Sequence, residues 1–225
     1  MKLIHARKNE TEAIGTKNYE ELSRRHFNRQ AAVYDENTGV YYSGPARVSG
    51  ADALAYLRDV RYKSLLDVGC GTGFLLDGLA RRRHAVYKGL DISEGMIEIA
   101  RGKKIPGAEF LLGSADKLPW ADGAFDVVTC IQSFHHYPYA DEAVREVYRV
   151  LRPGGLYLLS DTGVGGLGAW LDNHIVFPLL RSGDCRTENR HAIAARMERH
   201  GFAVIRNERL RGLIYTVVGR KPKAD

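Results

Sequence analysis

The sequence has no apolar run long enough to cross a bilayer, which takes about 20 consecutive residues, and it is poor in cysteine. Its three cysteines, Cys70, Cys130 and Cys185, are odd in number and lack C-x-x-C spacing. A disulfide framework or a zinc site is therefore not expected, and a reducing, cytoplasmic compartment fits. The opening residues Met1-Lys2-Leu3-Ile4-His5-Ala6-Arg7 carry too little apolar character for a secretory signal. No H-x-E with cysteines, no paired metal-ligand spacing and no nucleophile elbow is present, so hydrolase and metal-site chemistry have no motif to rest on. The net charge is +6, but its carriers are scattered: Arg24-Arg25, Arg81-Arg82-Arg83, Lys103-Lys104 and Arg220-Lys221 with Lys223. None interleaves with aromatics, so they read as solvated faces on a small-molecule protein, and a nucleic-acid partner is not expected. At 225 residues with 44% hydrophobic and 27% charged side chains, the chain suits one globular domain with appendages. Oligomeric state is left open.

What is present centres on Leu65-Leu66-Asp67-Val68-Gly69-Cys70-Gly71-Thr72-Gly73. An apolar run ends near an acid, three alternating glycines follow, and Phe74 to Ala80 has helical apolar spacing. This reads as strand, tight turn, helix, with a helix N-terminus offering free N–H groups. A dinucleotide fingerprint would put its third glycine at position 74, which is Phe74, and an acid two residues before the first glycine would repel a pyrophosphate. An acid there favours a ligand with a positive group.

Ala85 to Asp91 reads as a second strand that also ends in an acid. Two parallel strands joined by a helix bring both carboxyl ends to one edge, so Asp67 and Asp91 are expected side by side where open α/β sheets bind ligands. A carboxylate at Asp91 can accept both hydroxyls of a ribose, or simply cap the next helix, which Ser93 also can do. Glu109-Phe110-Leu111-Leu112 reads as a third strand, followed by the small loop Gly113-Ser114-Ala115-Asp116. Phe125 to Cys130 is a buried strand whose end, Ile131-Gln132-Ser133-Phe134-His135-His136-Tyr137, should open into the same cleft. Ala140 to Leu151 is an amphipathic helix, Arg152-Pro153-Gly154-Gly155 a turn, and Leu156 to Asp161 a fifth strand. Ser49 is expected to cap a helix through Leu54, Leu57 and Val60. Glu188 to His200 is a helix stopped by Gly201, and two final strands meet around Arg211-Gly212.

The D-x-G-x-G-x-G spacing from Asp67 to Gly73 resembles motif I of the class I S-adenosylmethionine-dependent methyltransferases. Residues 118–137 and the segment Phe27 to Asp35 resemble the ubiquinone/menaquinone-biosynthesis type within that class. The resemblance covers about residues 27–160. It implies an α/β, three-layer Rossmann-like fold with a mainly parallel seven-stranded sheet, an antiparallel last strand and N-terminal helices. It implies S-adenosylmethionine as cofactor, bound by Tyr34, Asp67, Gly69, Cys70, Gly71, Gly73, Asp91, Ile92, Met96, Ser114, Ala115, Asp116 and Gln132. Asp116 stands where the family places an acceptor for the adenine amino group, or only caps a turn, and Ile92 and Met96 border the adenine face or simply pack the core. Residues 1–47 are then an N-terminal arm and cap helix, and 48–225 the cofactor-binding domain. Residues 161–187, rich in glycine and then apolar, form a substrate lid or a helix plugging an apolar edge.

Methyl transfer from a sulfonium needs no metal, and a base helps only for a hydroxyl acceptor. His135 and His136 are the candidate bases; otherwise one stacks on substrate and the other is a buried, hydrogen-bonded histidine. The expected function is direct in-line methyl transfer to a small, apolar or aromatic molecule. A nucleic-acid methyltransferase and a non-catalytic S-adenosylmethionine-binding protein are the alternatives. Against the former, Gln132-Ser133-Phe134-His135 stands where amino-group base methylation uses an Asn-Pro-Pro-aromatic motif.

Overall fold

Strand β1 (Ser64–Val68) is apolar on both faces apart from Ser64 at its start and Asp67, as befits a central parallel strand covered by helices on each side. Around it lie β2 (Val86–Asp91), β3 (Ala108–Leu112), β4 (Phe125–Ile131) and β5 (Leu151–Thr162), all parallel. β6 (Ala203–Arg211) and β7 (Ile214–Arg220) complete a seven-stranded sheet in the order β3-β2-β1-β4-β5-β7-β6, with β7 antiparallel to both neighbours. The computed structural model describes residues 18–35, 44–180 and 182–223. Of the N-terminal arm and cap helix expected over residues 1–47, residues 1–17 and 36–43 lie outside the described residues.

Alternate strand residues feed two separate cores, as the two-residue repeat of a strand requires. Leu65, Tyr87, Val127 and Leu158 pack against α2 (Pro45–Arg58), α3 (Phe74–Ala80) and α4 (Glu94–Gly102). Leu66, Leu90, Val128 and Leu159 pack against α5 (Ala140–Val150) and α8 (Arg190–Arg199). All parallel strands thus run their carboxyl ends to one edge. There α1 (Tyr19–Tyr34) crosses, fastened to the start of α4. Asn28 Oδ1 accepts from Ser93 Oγ at 2.6 Å and Gly95 N at 2.9 Å, and Arg24 pairs with Glu94 at 3.0 Å.

Three local expectations are corrected. Ser49 does not cap α2: Pro45 occupies the first turn, where its missing N–H costs nothing, so Ser49 falls inside the helix and is fully buried. Arg152-Pro153-Gly154-Gly155 is not a separate turn but an irregular start to β5, where the register to β4 jumps between the Phe125 and Val127 pairings. α8 starts at Arg190, capped by Asn189, which leaves Glu188 outside it to pair with Arg186 and Arg196. Ser93 does cap α4, accepting from Met96 N.

The segment after β5 forms α6 (Gly166–Leu171), a π-helical turn (Asp172–Val176) and α7 (Phe177–Leu179). None of its residues is buried; Leu167 is 72% and Leu179 78% exposed, so the apolar side chains do not plug the sheet edge. No described helix is long and apolar enough to cross a membrane.

Candidate cofactor cleft and acceptor cavity

Asp67 sits at the end of β1 and is 3% exposed. Its Oδ1 accepts from Thr129 Oγ1 at 2.6 Å. Burial pushes its carboxyl up to about 7 against that hydrogen bond, and the nearby charge of Asp91 adds to the rise. Ionising Asp67 in this environment thus costs roughly 4 kcal/mol more than in water, a cost that a neighbouring cation would offset.

Asp91, at the end of β2, lies beside it. Its Oδ2 accepts from Gly71 N at 2.8 Å and its Oδ1 from Ser93 N at 2.9 Å. Burial raises this carboxyl too, and those two backbone donors work the other way. Asp91 therefore clamps the glycine turn to the next helix start, and each oxygen retains acceptor capacity for a ligand hydroxyl.

The turn needs its glycines for two different reasons. Gly69 has φ +71°, and a Cβ there would fall 1.9 Å from Ser133 Oγ. Gly71 has φ +51°, and a Cβ there would meet only Tyr34 Cε1, at 4.0 Å. Gly69 is thus required by the protein, whereas Gly71 borders open space beneath the Tyr34 ring. Gly73 also takes positive φ and starts α3. The Cys70 side chain, by contrast, packs in the core against Gly89.

Over these residues lies a cleft of about 1100 Å³. Twelve of the thirteen residues expected to bind cofactor line it, namely all except Gly73. Ile92 is partly exposed and Met96 buried. Ser114 Oγ donates to Glu20 Oε1 of α1 at 2.7 Å, joining the β3 loop to the crossing helix. Gln132 holds φ +50° and uses its amide to tie Ser49 (2.9 Å) to Thr162 (3.0 Å), so it braces the wall as well as lining it.

A second cavity of about 1260 Å³ adjoins the first, and Phe27, Tyr34, Ala46, Gln132 and His136 line both. His135 lines the second. Its Nδ1 lies 2.7 Å from Asp161 Oδ1, and its backbone N donates to Asp161 Oδ2 at 3.1 Å. Burial alone would lower the His135 pKa; the charge and hydrogen bond of Asp161, with Asp184 behind, outweigh it and raise it. His136 goes the other way: burial and the neighbouring His135 hold it well below the usual imidazole range. Its ring meets Phe27 edge-on at 5.0 Å, and its Nδ1 lies 3.4 Å from Ser23 Oγ.

Asp161 and Asp184 were not singled out in the sequence. Asp161 had a readable signal, since it ends β5 on the edge that carries Asp67 and Asp91. Asp184 had none. It reaches the histidines because Cys185 N and Arg186 N donate to the His135 carbonyl at 3.0 and 3.3 Å.

Comparison with known proteins agrees with this geometry. Residues 66–159 match the family described as Methyltransferase domain. Residues 66–159, less than half of the chain, are thus similar to methyltransferase domains that use S-adenosylmethionine as methyl donor. The chain is 47% identical over 105 residues to a fatty-acid O-methyltransferase of Mycolicibacterium smegmatis, covering 46% of this chain and 38% of that protein. It is 36% identical over 124 residues to the phthiotriol/phenolphthiotriol dimycocerosates methyltransferase of Mycobacterium tuberculosis, covering 54% of this chain and 46% of that protein. The chain thus spans less than half the length of either relative. A chain in the Haloferax volcanii complex of the Trm112 methyltransferase activator superposes with a TM-score of 0.74 at 19% identity, over 90% of this chain and 99% of that one, which shows the shared fold.

The residues present fit the cofactor. A buried carboxylate short of a counter-charge, a second carboxylate with spare acceptor capacity and an open wall at Gly71 match a cationic amino-acid tail and a ribose diol.

Proposed function

We propose that this chain moves a methyl group from S-adenosylmethionine to an oxygen of a small, apolar, lipid-like molecule. The observation that carries the reading is that the acid-lined cleft opens directly onto a cavity holding the His135–Asp161 pair. Bound S-adenosylmethionine supplies a methyl already activated by its sulfonium. Asp67 would hold the positive group, Asp91 the ribose hydroxyls and Asp116 the adenine amino group, with Ile92 and Met96 along the adenine faces. The turn of Gly69, Gly71 and Gly73, with the Cys70 backbone, would take the amino-acid tail. Ser114, Ala115 and Gln132 would form the walls, and Tyr34 would close the top.

Of the two histidines, His135 is the base. Asp161 fixes its Nδ1, which leaves Nε2 for the acceptor cavity. From there it takes a hydroxyl proton, or pairs as a cation with a carboxylate acceptor. His136, held neutral against Phe27, shapes the passage between the cavities.

In place of boundaries at 47/48 and 161, which fall inside α2 and β5, we divide the described chain into the cap helix α1, a cofactor domain that begins with α2 at Pro45, and within it a lid over residues 163–187. The exposed apolar side chains of α6 and α7 suit an acyl or other long apolar acceptor, as does the naming of both relatives for lipid substrates. The resemblance to quinone-type methyltransferases keeps an aromatic acceptor as the second reading, since the helix that carries it, α1, does lie over the cleft.

Calorimetry with S-adenosylhomocysteine tests the cofactor half. Saturable binding is expected, weakened at least tenfold by Asp91→Ala, which frees two backbone donors worth about 1–3 kcal/mol each when buried and unpaired. No binding, or equal binding by the variant, contradicts it.

A further inference from the structure

The side chains that face the acceptor cavity do more than present one base. His135 Nε2 lies 3.6 Å and His136 Nε2 3.8 Å from the same oxygen, Asp184 Oδ1. These three ligand atoms all lie within 4.8 Å of one another. A tetrahedral ion with bonds of about 2.1 Å to nitrogen and oxygen holds its ligands about 3.4 Å apart; the two nitrogen–oxygen separations already stand within a few tenths of an ångström of that spacing, and a side-chain rotation of about an ångström at one imidazole closes the set. Two imidazoles and a carboxylate are a donor set that suits zinc and its transition-metal neighbours and leaves a coordination position open.

The surroundings are those of a built site. His135 Nδ1 is held by Asp161 at 2.7 Å, the arrangement in which a carboxylate orients a metal-binding imidazole. Asp184 Oδ2 accepts from Ser182, which turns Oδ1 toward the rings. The chain at Cys185 and Arg186 is pinned to the His135 carbonyl, and Arg186 also donates to the carbonyls of Tyr137 and Pro138 at 3.0 Å each. The histidine turn and the Asp184 loop are thereby fixed to each other, although 47 residues of chain lie between His136 and Asp184.

We propose that His135 Nε2, His136 Nε2 and Asp184 Oδ1 form a three-ligand site for a divalent transition metal, of the zinc type, in the wall of the acceptor cavity. An ion there coordinates through the Nε2 lone pair that proton removal requires. Metal binding and base action at His135 therefore exclude each other, and the ion is an inhibitor. This last step rests on the methyltransferase reading; the binding site does not.

Zinc titration of the metal-free full chain, read by competition with a chromophoric chelator, tests it. One ion per chain is expected. His136→Ala and Asp184→Asn should each weaken binding at least tenfold, and His191→Ala on the exposed face of α8 should leave it unchanged. Cobalt(II) in the same site should give the visible absorption of a four-coordinate ion, lost in Asp184→Asn. Asp184→Asn keeps size and shape, so it decides the matter if His136→Ala fails to fold. Binding that neither variant weakens, or that follows His191, overturns the proposal, as does an absence of stoichiometric binding. S-adenosylhomocysteine binding on the same samples separates the two ideas: its absence beside intact zinc binding removes the methyltransferase reading and leaves the metal site standing.

Discussion

At the residue scale the most informative group is Asp67. It is buried, held near pH 7 by desolvation, and satisfied on one oxygen by Thr129. Its carboxyl stands above the unfolded value of 3.8, so the protonated form stabilises the ligand-free fold, and that contribution is lost as pH rises through about 7. A cation in the cleft reverses the balance, because it favours the ionised form. Affinity for S-adenosylmethionine should therefore climb as pH rises from 5.5 to about 7, by up to tenfold per unit, and level off above. Asp67→Asn should bind weakly at every pH with no such slope. A flat wild-type profile in calorimetry would rule out Asp67 as the partner of the positive group.

At the scale of elements, the sheet was legible and its attachments were less so. Parallel strands buried on both faces leave apolar runs, and the acids at their ends mark the ligand edge; Asp67 and Asp91 could be placed from those two facts. Ser49 was misread because its capping chemistry is local, whereas Pro45 four residues earlier sets the helix start. Arg152 to Gly155 reads as a turn because proline and glycine usually mark one, yet Leu151 pairs with Phe125 before it, Leu156 with Val127 and Arg220 after it, and Gly154 and Gly155 bond to Lys221, so the strand runs through. Asp184 was invisible because only tertiary packing of the loop after α7 brings it to the histidines. That same region is the proposed lid, whose apolar residues could not be assigned to a face from spacing alone. Its exposure now gives a prediction. Leu167→Ser and Leu179→Ser remove outward-facing side chains, so thermal stability should change by no more than about 0.5 kcal/mol. The KM for a long apolar acceptor should rise several-fold with S-adenosylhomocysteine affinity unchanged. An unaltered KM in steady-state kinetics would mean that the acceptor does not touch this segment.

The whole molecule is a division of labour along one sheet edge. On the proposed reading, β1, β2 and the loop after β3 would supply acids for the cofactor, while the ends of β4 and β5 hold the His135–Asp161 pair and α1 crosses above the junction of the two cavities. The central claim is that this junction transfers methyl to oxygen. The direct measurement is transfer of labelled methyl from S-adenosylmethionine to a panel of apolar hydroxyl and carboxylate acceptors, by the wild-type chain and by His135→Ala, with zinc excluded. The account predicts transfer by the wild-type chain and a loss of about 10²-fold or more in kcat for hydroxyl acceptors when the base is removed, with cofactor-product binding intact. Saturable binding of S-adenosylhomocysteine with no acceptor methylated, or transfer by His135→Ala at the wild-type rate, would contradict it.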